Sequence, residues 1–381
     1  MKAAVVYHFF PHYRAAVLRE LLRSTTHEYV LVADERPWDA SIHPWKVDDR
    51  SRFIQSTCRQ LISPFLFQEG LIRLVLRRDL EAIVFLGNPY FVSTWISAVL
   101  ARLTGKRVLF WTHGWTHADR GAKGWFRRLF YRLSHGLLLY GHAAKMSGLA
   151  EGFAPERMHV VYNSLDYDEQ RRARQQVSTL DLAKLKARLF ERPTDPIVVC
   201  SARLTPACRL DLLLEAQARL REQGYAINVL LVGDGPERSR LEEIARQQRL
   251  PVHFYGACYE EALLARLLMA ARVTVSPGKV GLTAIQSLAY GTPVITHDNF
   301  SQQGPEWEAI LPGRSGDFFR QGDVEDLARH IRHWTADRPR IDGDCSELLD
   351  RFYNPGFQRR AIDRAVSGHP ADDLFWMKEA A

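Results

Sequence analysis

Two apolar rhythms alternate along the chain. Runs that are apolar at nearly every position, AAVVYHF (3–9), EYVLVAD (28–34), AIVFLG (82–87) and RVLFWTH (107–113), read as strands buried on both faces. Between them, apolar residues recur three and four positions apart in RAAVLRELLRS (14–24), LIRLVLRRDL (71–80) and TWISAVLARLTG (94–105), which read as helices. LLLYG (137–141) and HVVYNS (159–164) add two short strands. After a polar, helix-like segment the alternation restarts. DPIVVCSAR (195–203), AINVLLVG (226–233), VHFYG (252–256), RVTVS (272–276) and PVIT (293–296) read as strands. DLLLEAQARLREQG (211–224), ERSRLEEIARQQRL (237–250), EEALLARLLMAA (260–271) and LTAIQSLAY (282–290) read as helices. Alternating strands and helices predict an α/β protein with mostly parallel sheets.

The restart predicts two domains: 1–165, a helical boundary at 166–193, and 194–347. A C-terminal helical segment, 348–381, is interrupted at Asn354-Pro355-Gly356 and is expected to pack back on the first domain. A chain of 381 residues suits two cores. In such sheets ligands bind outside the carboxyl ends of the strands, so strand-end residues are the ones to examine.

Composition narrows the field. With 46% hydrophobic and 25% charged residues the chain is globular, not disordered. No stretch is long enough to span a bilayer. His8, Pro11, His12 and Arg14 interrupt the first apolar run, which reads as a strand and not a signal peptide. Five cysteines without ligand-like spacing fit reduced thiols and a cytoplasmic setting. The net charge of +7 attracts phosphorylated molecules, anionic lipid or nucleic acid. No nucleic-acid module is present, so no nucleic-acid partner is expected.

Three segments of the second half carry candidate chemistry. SARLTPACRL (201–210) puts Arg203 at a strand's carboxyl end, with Arg209 six positions on; a guanidinium suits bidentate contact with phosphate. LLVGDGPERSRLEEIA (230–245) turns at Gly233 and Gly235, but Arg238 occupies the place of the third glycine of a dinucleotide fingerprint, which argues against NAD. SPGKVGLTAIQSLAYGTPVIT (276–296) has two glycines, Gly278 and Gly281, before a helix that buries Leu282, Ile285 and Leu288. It reads equally as a diphosphate loop or as an ordinary buried helix.

In order, these segments resemble the nucleotide-sugar domain of family 4 glycosyltransferases, which have the GT-B fold: two facing Rossmann-like domains with parallel sheets and an interdomain cleft. SARL, LVGDGPER, SPGKVGL, AYGTPVIT and EAILPGRSG (308–316) stand at the family's motif positions, and WTHG (111–114) and VVYNSLD (160–166) match more weakly in the first half. The resemblance implies retaining transfer from a nucleoside diphosphate sugar, with no metal and no other cofactor. It assigns His113 and Arg203 to catalysis and Gly281, Leu282, Thr283, Gln286, Gly233, Gly235 and Glu308 to the donor, with Arg209 or Lys279 expected to supply a further cation near the diphosphate. His12, Tyr13 and Arg14 fall on the acceptor side, replacing a glycine-rich family loop.

The chain also departs from the pattern. The family's paired glutamates fall on Gly278 and Gln286, and its lysine falls on Cys208, beside Arg209. Gln286 keeps hydrogen bonding to ribose without charge. Gly278 brings no side chain. Glu306 has no strict family counterpart and reads either as a compensating carboxylate or as a solvated loop acid. Asn88 and Asn163 read as turn residues, and the Asp-x-Asp pairs at 166–168 and 342–344 as chance. RGAKGWFRRLFYRLSHG (120–136) would place cations on one helix side and aromatics on the other, suited either to an anionic membrane or to ordinary core packing. The expected role is bacterial surface-polysaccharide synthesis on a glycan or lipid-linked acceptor (lipopolysaccharide O-antigen, capsule or exopolysaccharide) at the inner face of the plasma membrane. A catalytically inactive sugar-nucleotide binder and a sugar-nucleotide epimerase remain the alternatives.

Overall fold

The computed structural model describes residues 1–37, 42–115, 121–337 and 342–372. These divide into two units, one formed by 1–166 with the segment from Asn354 onward, the other by Tyr167–Tyr353.

The first unit is built on a seven-stranded sheet in the order β3-β2-β1-β6-β7-β8-β9, parallel throughout. Its strands are β1 (Lys2–Phe9), β2 (Glu28–Asp34), β3 (Phe53–Gln55), β6 (Ala82–Leu86), β7 (Arg107–Thr112), β8 (Gly136–Leu139) and β9 (Met158–Val160). A small antiparallel hairpin, β4 (Cys58–Gln60) and β5 (Leu66–Gln68), stands apart from it. Alternate strand residues serve opposite layers. Val5, Val84, Leu109 and Leu138 pack with α1 (Ala15–Leu22) and α14 (Pro355–Val366). Ala4, Ile83, Phe85 and Phe110 pack with α2 (Leu71–Val75), α3 (Val92–Leu103) and α4 (Ala122–Arg132). A sheet covered on both faces needs an apolar residue at every position, which is why these strands read as unbroken apolar runs. A short helix, α5 (His142–Ala150), follows β8.

The second unit carries a six-stranded parallel sheet, β12-β11-β10-β13-β14-β15. The strands are β10 (Ile197–Ser201), β11 (Asn228–Val232), β12 (Val252–Gly256), β13 (Val273–Ser276), β14 (Val294–His297) and β15 (Gly316–Phe319). One face packs α8 (Leu210–Glu222), α9 (Arg238–Gln247) and α12 (Val324–Arg332). The other packs α7 (Thr179–Leu189) and α10 (Glu261–Ala270), and α11 (Thr283–Ala289) links β13 to β14.

The boundary stretch 166–193 forms α6 (Tyr167–Gln175) and α7, and both pack on α10 as part of the second unit. A reciprocal capping box, Ser178 with Asp181, starts α7. The C-terminal stretch does not pack on the first unit as a whole. α13 (Asp342–Arg351) stays with the second unit, because Asp344 and Glu347 pair with Arg314 and Asp350 accepts from Tyr167 Oη at 2.8 Å. The chain returns to the first unit only at Asn354, whose side chain caps α14 by accepting from Phe357 N–H at 2.8 Å. No helix among the described residues is long and apolar enough to cross a membrane.

Candidate functional site

In both sheets the strand order reverses beside the first strand of the unit, between β1 and β6 and between β10 and β13. Ligands of open parallel sheets bind at the carboxyl ends of the strands flanking such a reversal. In the second unit the loops that follow β10 and β13 are 202–209 and 277–282. These contain Arg203, Arg209 and Lys279, three of the residues the sequence singled out.

The two loops touch. Residues Pro206–Cys208 form a single 3-10 turn. Gly278 donates its N–H to the Cys208 carbonyl at 3.1 Å. A Cβ placed on Gly278 would lie 2.0 Å from the Ala207 carbonyl oxygen and 2.7 Å from the Cys208 carbonyl carbon. Cys208 and Gly278, the two positions read from the sequence as departures from the resemblance, are thus in direct backbone contact. His297, buried at the end of β14, hydrogen-bonds the Gly278 backbone; burial lowers its pKa, and Asn299 N–H on Nδ1 at 3.2 Å leaves the proton on Nε2.

The turn after β11 packs on the other side of the β10 loop. Leu204 N–H donates to the Asp234 carbonyl and Glu237 N–H to the Leu204 carbonyl, both at 3.0 Å. Side chains at Gly233 or Gly235 would strike the Ala202 or Leu204 carbonyl oxygen. Thr283 Oγ1 donates to the Ser201 carbonyl at 2.8 Å, tying the start of α11 to the end of β10. Arg203 and Lys279 are exposed. Arg209, also exposed, sits in the left-handed region (φ 47°) and pairs with Asp211 at 3.2 Å. Leu282 and Gln286 are half-buried on the same face of the loop and helix start.

A fourth segment closes the group. Val280 N–H donates to Gln303 Oε1 at 2.7 Å, and Gly304 N–H donates to the Val280 carbonyl at 2.8 Å. Residues Pro305–Ala309 then form a 3-10 helix in which Glu306 and Glu308 are 3% and 2% exposed. Glu306 is thus not a solvated loop acid. Its carboxylate lies beside Gly281. Above that glycine there is room for a side chain, and the nearest atom to that space is Glu306 Oε2, 4.0 Å away. Neither Gln303 nor His297 carried any signal in the sequence; their roles depend on a backbone placed by folding.

In the first unit, His113 is exposed at the end of β7, with its ring centroid 4.6 Å from that of Tyr140. Gly114 follows with φ 65°. Tyr140 is buried, shares a 3.1 Å hydroxyl contact with Tyr7, and accepts from Arg14. Arg14 is 8% exposed, with its guanidinium 4.9–5.2 Å from the ring centroids of Trp111, Tyr140 and Tyr7. The expectation that Arg14 faces an acceptor therefore fails: the stem enters at α1 and the charge lies inside an aromatic box. Arg14 Nη1, Trp111 Nε1 and His8 Nδ1 are buried without a hydrogen-bond partner among the described residues. His12 stays exposed and Tyr13 half-buried, with His12 N–H bonded to the His43 carbonyl at 2.9 Å. Asn88 closes its own turn by accepting from Tyr90 N–H at 3.0 Å.

Arg120 lies outside the described residues. Residues Ala122–Arg132 of the basic-aromatic stretch form α4, whose apolar residues divide between core and solvent. Phe130 stacks on Phe110 at 4.4 Å and Phe126 on Trp95 of α3 at 4.9 Å. Trp125 is 59% exposed and Leu129 is exposed, while α3 exposes Ile96, Val99 and Leu103. The aromatic side is therefore partly core and partly surface. Arg128 pairs with Glu151 at 2.7 Å. Among the described residues no three His, Cys, Asp or Glu side chains cluster as metal ligands.

Residues 182–356, which contain all four converging segments, match the family described as "Glycosyl transferases group 1". That segment has the pattern of the group 1 glycosyltransferases. The curated relatives include the GDP-mannose-dependent alpha-(1-6)-phosphatidylinositol dimannoside mannosyltransferase of Mycobacterium tuberculosis (strain ATCC 25177 / H37Ra), 36% identical over 106 residues, 27% of each chain. The match to this relative thus spans about a quarter of its length. Among solved structures, Anabaena HepE in complex with UDP superposes with a TM-score of 0.71 at 15% identity, covering 97% of this chain and 100% of that one. The lipopolysaccharide outer core galactosyltransferase WaaB in its apo form gives 0.68 at 14% identity, over 97% and 99%. At these identities the likeness establishes the fold: two parallel-sheet Rossmann-like units, as in GT-B glycosyltransferases. The matched segment of this chain holds the β10–β13 reversal and the four loops packed around it.

Proposed function

We propose that the protein is a retaining glycosyltransferase that moves a sugar from a nucleoside diphosphate sugar to a glycan or lipid-linked glycan. One observation carries the reading. Four loops, 201–209, 233–235, 277–283 and 303–308, converge at the strand reversal of a group 1 segment. On this reading Arg203 and Lys279 meet the charge that grows on the departing diphosphate, with the 281–283 backbone amides as uncharged donors. Arg209 joins them by exchanging Asp211 for phosphate, a small cost for an exposed pair. Gln286 and Glu308 serve the nucleotide side. His113, at a strand end of the first unit, is the candidate for contact with the donor sugar, and His12 and Tyr13 for the acceptor.

A relative that uses GDP-mannose and a structural neighbour that binds UDP leave the base open. Their names, with that of the lipopolysaccharide transferase, support a role in bacterial glycolipid or polysaccharide assembly. The test is calorimetry against a panel of nucleotide sugars, followed by an assay for release or transfer of labelled sugar. For the donor that binds, Lys279→Ala is expected to weaken affinity about tenfold, about 1.4 kcal/mol. Unchanged affinity removes Lys279 from the site. A donor that binds yet is neither hydrolysed nor transferred supports a binding role without catalysis.

A further inference from the structure

We infer that Glu306 supplies the carboxylate that position 278 lacks, accepting hydrogen bonds from hydroxyl groups of the bound nucleotide sugar. The inference rests on the nucleotide-sugar reading and adds to it a residue with no counterpart in the motif pattern.

Three observations carry it. First, no carboxylate can stand at 278. The Cβ of any side chain there would fall 2.0 Å from the Ala207 carbonyl oxygen, and the backbone is pinned by Cys208 on one side and His297 on the other. Second, the loop's other glycine is open. A Cβ on Gly281 meets nothing closer than Glu306 Oε2 at 4.0 Å, so a ligand that approaches this backbone meets that carboxylate. Third, the acid is placed firmly. Glu306 is 3% exposed, and the segment bearing it is stitched to the loop by Gln303 onto Val280 N–H and by Gly304 N–H onto the Val280 carbonyl. Gly304 itself is required for this approach, since a Cβ there would stand 2.8 Å from Glu306 Oε2 and 2.7 Å from the Val280 carbonyl oxygen.

The chemistry follows from charge. A carboxylate accepts and does not donate, and it repels phosphate, so its partners on a nucleotide sugar are hydroxyls. Those of the ribose and those of the transferred sugar both qualify. A carboxylate in a low-dielectric setting makes stronger hydrogen bonds than a neutral amide in its place.

The experiment compares wild type with Glu306→Gln, which keeps the shape and removes the charge. The probes are UDP, UDP-glucose, GDP and GDP-mannose, read by calorimetry. Expected is a loss of about tenfold to a hundredfold in affinity for whichever nucleotide sugar the wild type binds. A loss confined to the nucleotide sugar assigns the hydroxyls to the transferred sugar; an equal loss with the bare nucleotide assigns them to the ribose. Either supports the inference, provided the melting temperature without ligand stays near that of the wild type. Equal affinities in both proteins overturn it. Wild type that binds none of the four probes overturns the nucleotide-sugar reading, and this inference falls with it. Should Glu306→Gln fail to fold, Glu306→Asp is the second variant. It keeps the charge but withdraws it by one methylene, and unweakened binding by it overturns the inference.

Discussion

The residue that most constrains this site is Gly278. In the sequence it marks a missing side chain; in the structure it marks a contact between two backbones. The close approach of Ala207 and Cys208 leaves no space for even a methyl group. Gly278→Ala is therefore expected to lower stability by about 1–3 kcal/mol through overpacking, measured by urea denaturation. An unchanged midpoint would show that the Pro206–Cys208 turn yields freely. Gly278→Glu, which installs the residue the resemblance implies, is expected to destabilise further and not to strengthen donor binding. Gly278 and Cys208 drew attention in the sequence because motif positions can be counted. That the two touch was not legible there, since seventy positions separate them and only the pairing of β10 with β13 brings them together. Arg14 shows the opposite failure. Its place after a strand end suggested an acceptor contact, but the turn His12–Arg14 leads straight into α1 and swings the side chain inward.

At the scale of elements, the sequence was readable wherever both faces of a strand are covered. β2 and β12 fall on the expected residues, and β1, β6 and β7 within one residue. The pieces it did not signal are β3, the β4–β5 hairpin and β15; β3 and β15 are sheet edges and the hairpin stands outside both sheets, so each keeps half-buried or exposed positions. α4 was readable as a helix, but its division between core and surface was not, because that depends on α3. The two helices together expose Ile96, Val99, Leu103, Trp125 and Leu129, with Arg102, Lys123 and Arg127 on the same elements. An apolar surface bordered by cations fits an anionic bilayer. Co-sedimentation with phosphatidylglycerol vesicles at low salt is expected, and Trp125→Glu is expected to reduce it severalfold. Absence of binding by the wild type would sink the membrane proposal.

At the scale of the whole molecule, the first unit carries a built-in sensitivity to acid. His8, His142 and His159 each have their pKa lowered to about 4, first by burial and then by the charges of Arg14, Lys145 and Arg107 respectively. The ordinary value is 6.5, so between pH 6.5 and 4 the unfolded chain takes up protons that the folded chain refuses. The stability they contribute is complete above pH 6.5 and is lost as pH falls toward 4. At pH 5 each histidine costs about 2 kcal/mol. Urea denaturation at pH 7.5 and pH 5 is expected to show a lower midpoint at pH 5, with a smaller drop in the triple variant that replaces these histidines by glutamine. Equal midpoints at the two pH values in the wild type would contradict the assignment.

The return of the chain at Asn354 has a consequence in time. Asp363 of α14 is buried where it accepts from Tyr29 Oη at 2.7 Å, from Ser24 Oγ and from Arg359, while Gln358 bridges Ser164 Oγ and the Tyr162 carbonyl. The α1 side of the first sheet is therefore completed by residues made more than three hundred positions later. During synthesis the second unit can finish folding on its own residues as soon as Tyr353 emerges. The first unit, although begun earliest, must wait with Leu18, Leu21 and Tyr29 uncovered until the helix from Pro355 to Val366 leaves the ribosome. The order of birth and the order of completion are reversed, and the half that waits is the one a holding chaperone would meet.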